Sequence, residues 1–207
     1  MSKPRRSGGS WRERQERDPY VQQARRDGWR SRAVYKLEQI EQKERLLKPG
    51  MICLDLGSAP GSWSQYVTRV LKGRARIIAV DLLPMDSLPD VEFIQGDFQD
   101  EAIFDALLSA VGETGADLVM SDMAPNITGS RAVDQPRSMY LVELALDMAR
   151  QVLKPNGNFI CKVFQGEGFD ELVVDARRSF KRVRVMKPKA SRAGSREVYL
   201  VARNYRL

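Results

Sequence analysis

Lys162 is the residue whose position most needs a chemical reason, because it interrupts the apolar run Phe159-Ile160-Cys161-Lys162-Val163-Phe164. A lysine inside such a strand is seldom buried without a partner. Two carboxylates are placed to supply one: Asp122 follows the apolar run 116–120, and Glu197 opens the run Glu197-Val198-Tyr199-Leu200-Val201. Lys36, just after Ser31-Arg32-Ala33-Val34-Tyr35, can complete a group of two amines and two carboxylates. Side chains of these types can hold and move a proton at a hydroxyl when their surroundings tune them. They can equally form an ion-pair cluster that only stabilises the fold. Histidine is absent from the chain, which excludes Ser-His-Asp and Cys-His catalysis and His-containing zinc sites. Any general base is then Lys, Asp, Glu or Tyr.

A second constellation lies at Asp55-Leu56-Gly57-Ser58-Ala59-Pro60-Gly61-Ser62-Trp63, where an apolar run ends in an acid and a Gly-x-x-x-Gly loop. A dinucleotide loop needs Gly-x-Gly-x-x-Gly, with bare backbone donors facing a pyrophosphate. Asp55 would set a carboxylate where that phosphate belongs. The loop therefore suits a cofactor bearing positive charge, such as S-adenosylmethionine with its ammonium and sulfonium, unless it is only a tight turn. Asp81, after Ile77-Ile78-Ala79-Val80, is placed to accept bonds from ribose hydroxyls, and Asp97, in Gln95-Gly96-Asp97-Phe98, can reach an adenine amino group. Each alone reads as well as a turn or capping acid. The recurrence of Asp55, Asp81, Asp97 and Asp122 at strand ends favours a nucleoside pocket.

The elements that must position these residues alternate along the chain. Ser31 can cap a helix over 32–46, ended by Lys48-Pro49-Gly50. Runs 51–56, 75–80, 91–94, 116–120 and 158–164 read as strands, several apolar enough for a parallel sheet covered on both faces. Helices fit at 62–71, 100–111, 136–153 and 169–180, the third ending at Lys154-Pro155-Asn156-Gly157. Strands 182–186 and 197–203 close the chain with no room for a helix between them. The expected fold is a doubly wound, Rossmann-like α/β domain with a mostly parallel seven-stranded sheet and an antiparallel last strand. In open α/β sheets ligands bind outside the carboxyl ends of the parallel strands. An antiparallel strand begins at that same edge, which brings Glu197 to Lys162.

Composition bounds the setting. The 207 residues suffice for one well-buried core. The first 32 residues hold ten Lys or Arg against four acids, so they carry +6 of the formal +7. Residues 1–30 therefore read as a basic, flexible arm and 31–207 as a single domain. A second basic stretch, 181–196, has seven Lys or Arg and no acid. Such charge suggests attraction to RNA, or else a solvated terminus. The preferred phosphate contacts are Arg30, Arg32, Lys187, Lys189 and Arg192, whose elements flank the expected pocket. The chain shows no run of 18 apolar residues and no signal-peptide core, so a cytoplasmic protein is expected. Cys53 and Cys161 read as buried hydrophobes, and no metal is expected.

At this point the residues resemble the FtsJ-like ribosomal RNA ribose 2′-O-methyltransferases over nearly the whole chain. The family's Lys-Asp-Lys-Glu tetrad matches Lys36, Asp122, Lys162 and Glu197 in order and in element. Its Ser-Arg-Ala-x-Tyr/Phe-Lys-Leu helix matches 31–37, its Asp-Leu-Gly-Ala/Ser-x-Pro-Gly-x-Trp loop matches 55–63, and Ser/Asp-Asp-Met-Ala-Pro-Asn matches 121–126. No motif position departs from the pattern. The resemblance implies that S-adenosylmethionine contacts Gly61, Trp63, Asp81, Asp97 and Asp122, with Asp55 and Gly57 in the same loop. It implies Lys162 as proton acceptor, and as substrate a uridine in the A-loop of 23S rRNA within the 50S subunit. A monomer is expected.

Methyl transfer to a ribose hydroxyl is an in-line displacement, so the enzyme must align the oxygen, take its proton and exclude water. An ordinary lysine, with a reference pKa near 10.4, is a poor base at neutral pH, and burial or a neighbouring cation is what improves it. A nucleobase methyltransferase would place Asp/Asn-Pro-Pro-Tyr/Phe where this chain has Asp122-Met123-Ala124-Pro125, without an aromatic to stack a flipped base. The residues also admit a ribose methyltransferase acting on tRNA or an mRNA cap, and a non-catalytic RNA-binding assembly factor.

Overall fold

The computed structural model describes residues 17–206. The elements run α1 (Pro19–Asp27), α2 (Val34–Glu44), β1 (Met51–Leu56), α3 (Ser62–Leu71), β2 (Ala75–Asp81), β3 (Val91–Gln95), α4 (Glu101–Val111), β4 (Ala116–Ser121), α5 (Arg131–Val152), β5 (Leu153–Phe164), α6 (Phe169–Ser179), β6 (Phe180–Met186) and β7 (Glu197–Tyr205). The strands form one sheet in the order β3-β2-β1-β4-β5-β7-β6. All neighbouring pairs from β3 to β5 are parallel, and β7 runs antiparallel to both β5 and β6. The chain order reverses between β1 and β4, which opens a crevice at their carboxyl ends.

Strand alternation divides the core between the two faces of the sheet. Leu54, Ile78, Val119 and Phe159 face the cluster shared with α4, α5 and α6. Their neighbours Cys53, Ile77, Leu118 and Ile160 face the cluster shared with α1, α2 and α3. Both faces being covered explains why these strands are apolar on both sides.

Several boundaries differ from the sequence expectation. The arm expected over 1–30 is described from Arg17 onward, and that part contains α1. Asp18 accepts the Tyr20 amide at 3.0 Å, Pro19 occupies the first turn, and Gly28 closes the helix at φ 69°. Ala24 is buried, and Trp29 lies 6.0 Å from the Tyr66 ring. Lys3, Arg5, Arg6, Arg12 and Arg14 fall outside the described residues. Helix α5 starts at Arg131 rather than at Pro136, and Pro136 lies in the helix interior, where it removes one backbone donor. Its start is held by Asp134, which accepts the Thr128 and Gly129 amides at 2.9 Å each. The sequence Lys154-Pro155-Asn156-Gly157 does not separate α5 from β5 as a loop. Leu153 already pairs with Ala116, and pairing resumes at Asn158 with Leu118, so these four residues make an irregular excursion inside β5. Among the described residues, no helix is long and apolar enough to cross a membrane.

Candidate active site

The register brings the four expected residues together at one edge. Lys162 on β5 lies opposite Tyr199 on β7, and Phe164 lies opposite Glu197. On the other side of β5, Ser121 pairs with Cys161, which sets Asp122 beside Lys162. The Lys162 ammonium donates to the Asp122 main-chain carbonyl at 2.6 Å and lies 3.2 Å from Asp122 Oδ1. Helix α2 supplies Lys36, whose Nζ is 2.8 Å from Glu197 Oε1. Lys162 is only 8% exposed and Glu197 9%, so these charges are held away from bulk water.

Tyr199 links the two pairs, although no motif in the sequence marks it as a site residue. Its hydroxyl donates to Asp122 Oδ1 at 2.5 Å and lies 3.5 Å from Glu197 Oε1. Burial and the adjacent carboxylates hold its pKa far above the ordinary phenol value, so it stays a donor. Burial pushes the Asp122 carboxyl up, but Lys162, Lys36 and the Tyr199 hydroxyl outweigh it and hold Asp122 below the usual carboxylate range. Asp122 is therefore an anion throughout the neutral range. Ser191 donates to Glu197 Oε1 at 2.8 Å, which fixes the rotamer that meets Lys36. The available signal for Tyr199 is its spacing: two residues beyond Glu197 in a strand, it must share that residue's face.

Asp122 also borders a cavity of about 300 Å³ at the β1/β4 crevice. Asp81 and Asp97 line it with Gly57, and Leu82, Leu83, Phe98, Met123 and Leu141 provide apolar walls. Asp81 is oriented by the chain itself: Oδ2 accepts the Ala59 amide and Oδ1 the Leu83 amide, each at 2.8 Å. Asp97 is held by the Gln99 amide at 3.0 Å. Gly57 sits at φ 70°, and a Cβ there would meet Met123 Cγ at 2.2 Å, so glycine is required for the loop to close on the β4 end. Three carboxylates line this cavity and no lysine or arginine does. That donor set fits a nucleoside carrying positive charge and opposes a phosphate-bearing one. Among the described residues no cluster of His, Cys, Asp or Glu could hold a metal ion.

The remaining loop residues stand behind the cavity rather than on its lining. Asp55 is 1% exposed and accepts the Ser64 hydroxyl at 2.6 Å and the Ser64 amide at 3.1 Å. It pins the first turn of α3 beneath the loop. Gly61 is covered by Met85, Leu88 and Arg30, and the Trp63 indole donates to the Ala33 carbonyl at 2.9 Å, tying α3 to α2. Each of these acts on the cavity through the loop they shape.

Burial, with the Asp122 and Asp81 charges against the opposing Ser64 bonds, raises the Asp55 pKa from 3.8 to about 7. A carboxyl raised in this way binds its proton more tightly in the folded than in the unfolded state. Folding stability from this group is therefore greatest near pH 4 and falls as pH rises to about 7, with a slope of about 1.4 kcal/mol per pH unit. Asp55→Asn should remove this slope. Denaturant midpoints of the wild type measured from pH 4 to 8 are expected to fall relative to those of the variant, and parallel curves would refute the assignment.

The five expected phosphate contacts divide into two groups. Arg30 donates to the carbonyls of Pro60, Asp86 and Ser87 at 3.0, 2.7 and 2.8 Å. Arg32 bonds Asp18 and the Ala190 carbonyl, and Lys187 bonds the Ser195 carbonyl and, at 3.1 Å, that of Glu197. Each of these three places donors on the fold, mostly on main-chain carbonyls of the site loops within their reach, although the buried Arg32 Nε has no hydrogen-bond partner among the described residues. Lys189 and Arg192 are exposed, the latter 3.7 Å from Asp18.

A seven-stranded sheet of this order, with a carboxylate-lined cavity at the β1/β4 crevice that shares Asp122 with a lysine–carboxylate group, is the architecture of a Rossmann-like methyltransferase. A solved Plasmodium falciparum protein described as a putative ribosomal RNA methyltransferase superposes with a TM-score of 0.74 at 31% identity, over 86% of this chain and 98% of that one. Human methyltransferase-like protein 13, solved with SAH, shares the fold at 20% identity and a TM-score of 0.56, over 83% of this chain and 80% of that one. Residues 29–205 match the FtsJ-like methyltransferase family, and the chain belongs to it. Curated relatives named ribosomal RNA large subunit methyltransferase E, from Pseudomonas paraeruginosa and Pseudomonas aeruginosa, are 59% and 58% identical over 91% of both chains.

Proposed function

We propose that the protein transfers the methyl group of S-adenosylmethionine to the ribose 2′-hydroxyl of a uridine in the A-loop of 23S rRNA, as a monomer acting on the assembled 50S subunit. The observation that carries this reading is the position of the tetrad. Asp122 faces the acidic nucleoside cavity, while Lys36 and Glu197 line a separate hollow of about 450 Å³ bordered by Arg32 and Arg192. Lys162 and Asp122 thus stand where a methyl donor on one side meets a polyanion's sugar on the other. The names of the curated relatives, which specify the large-subunit RNA, support the substrate.

S-adenosylmethionine bound in the cavity supplies an electrophilic methyl group on a sulfonium. Asp81 would accept hydrogen bonds from the ribose hydroxyls of that cofactor and Asp97 one from its adenine amino group, while Gly57 would let the loop close over it. The anionic Asp122 favours positive charge at the cavity's inner end and holds Lys162 by two contacts. Lys162 would take the proton of the 2′-hydroxyl as that oxygen bonds the methyl carbon, while the carbon–sulfur bond breaks and its electron pair leaves with the sulfur of the neutral thioether. Lys36 and Glu197 orient the acceptor ribose, and Tyr199 keeps Asp122 and Glu197 in register. The apolar side chains on the cavity wall, among them Phe98, Met123 and Leu141, would limit the water able to compete as acceptor.

The test is a map of ribose methylation on ribosomes from cells with and without the protein. Loss of one methyl from an A-loop uridine, restored by the purified protein with labelled cofactor and large subunits, is the expected result. Label on tRNA, on a base, or on none of these RNAs would overturn the reading.

A further inference from the structure

Three hollows stand in a row along the face that carries Lys36 and Glu197. The middle one shares Arg32 and Arg192 with a hollow of about 410 Å³ that extends to Arg17, Tyr20 and Lys189. On its other side it shares Phe164 and Ser195 with a third, of about 360 Å³, bounded by Ile127, Arg131 and Arg196. Shared walls make them one track, with the Lys36–Glu197 pair at its centre.

We propose that this track takes three consecutive unpaired nucleotides, the target ribose in the middle hollow and its two chain neighbours in the hollows on opposite sides. The proposal rests on the ribose-methylation reading above and adds the path of the substrate strand. Each hollow lies within the range of about 300–1,000 Å³ typical of small-ligand pockets. Separate concave hollows divided by side-chain walls accept splayed bases one at a time, as single-stranded RNA is read, and would not seat a paired helix.

The charge along the track selects a polyanion. Arg17, Lys189 and Arg192 border one outer hollow, and Arg131 and Arg196 the other. The carboxylates on the same walls are already engaged. Asp18 accepts from Tyr20 and Arg32, Glu197 from Lys36 and Ser191, and Asp134 from Thr128 and Gly129. Each outer hollow also offers a non-polar surface to a base. One has the Tyr20 ring, already packed 5.4 Å from Tyr35, and the other has Ile127, which is 62% exposed although it borders the site.

The walls are held by hydrogen bonds within the protein. Gln39 accepts the Ala190 amide at 3.0 Å, and Gln135 donates to the carbonyls of Phe164 and Glu167 at 3.2 and 2.9 Å. Lys189, Arg192 and Ile127 are exposed beside this framework and border the track with Arg17 and Arg131, Arg192 lying 3.7 Å from Asp18.

The test places a photo-crosslinker in each outer hollow of the full-length protein, as Tyr20→p-benzoylphenylalanine and Ile127→p-benzoylphenylalanine, on large subunits, with crosslinks mapped by primer extension. The two are expected on opposite sides of the methylated nucleotide, each within about two positions of it. Both on one side, or either one absent or mapping elsewhere in the RNA, overturns the track. As a second measurement, Arg131→Ala and Arg192→Ala should each raise KM for subunits about fivefold or more with cofactor Kd unchanged. A wild-type KM for Arg131→Ala removes the third hollow and overturns the proposal. Methylation by the unsubstituted protein is scored in parallel, so failure of the ribose-methylation reading shows there and failure of the track shows only in the variants.

Discussion

Replacing Lys162 by methionine is expected to slow single-turnover methyl transfer about 10²–10⁴-fold, the range for loss of one proton-transferring side chain. Binding of S-adenosylmethionine should change by no more than about twofold, because Lys162 does not line the cofactor cavity. Methionine keeps the apolar stem within β5 and leaves the Tyr199 hydroxyl on Asp122. Lys162→Arg refines the assignment. Arginine keeps the cation but, with a pKa above about 12, cannot accept a proton. Equal loss in both variants assigns the contribution to proton acceptance, whereas recovery with arginine assigns it to charge and position. A wild-type rate in Lys162→Met would move the base elsewhere in the site.

The second large effect is on the cofactor. Asp81→Ala should weaken S-adenosylmethionine binding about 10–100-fold, which corresponds to the roughly 1.5–3 kcal/mol of a hydrogen bond to a charged group. Two losses combine there. The acceptor for the cofactor ribose disappears, and the Ala59 and Leu83 amides that Asp81 gathers are released, so the loop over the cavity loses its anchor. Calorimetric titration measures the change. At saturating cofactor the transfer rate should recover to within about tenfold of wild type, because the tetrad is untouched. A Kd within about threefold of wild type would take Asp81 out of the cofactor site.

The tetrad is legible in the sequence through one member out of place by type, Lys162 within an apolar strand, which demands partners. Strand alternation with one antiparallel return locates Asp122 and Glu197 beside it, whereas Lys36 is an ordinary helical lysine that the family resemblance singles out. Tyr199 is hidden for the opposite reason: in Val198-Tyr199-Leu200 an aromatic reads as core, and its hydroxyl announces nothing. Asp55 stands out by type, but its direction is not the one its loop suggests. It shares a strand face with Cys53, which packs toward α1–α3, so its carboxylate has to meet α3 rather than the crevice. Helix α1 is overshadowed by the charge of the arm, although Asp18-Pro19 and Gly28 are ordinary start and stop signals. Arg30, Arg32 and Lys187 illustrate a deeper limit. Their acceptors are mostly main-chain carbonyls, which every residue has, so no residue type in the sequence marks such a contact in advance.

Those same three side chains bear on how recognition is divided between protein and RNA. A long basic side chain that is free in solution surrenders about 1.5–2 kcal/mol of rotamer entropy when it closes on a phosphate. Here Arg30, Arg32 and Lys187 gave up that freedom at folding, when they clamped the loops around the site. The loops around the site are tied by hydrogen bonds of the protein's own. Adaptation on encounter falls to the RNA, so a nucleotide already unstacked in its native setting is accepted, while an identical sequence locked in a helix must first meet the cost of opening.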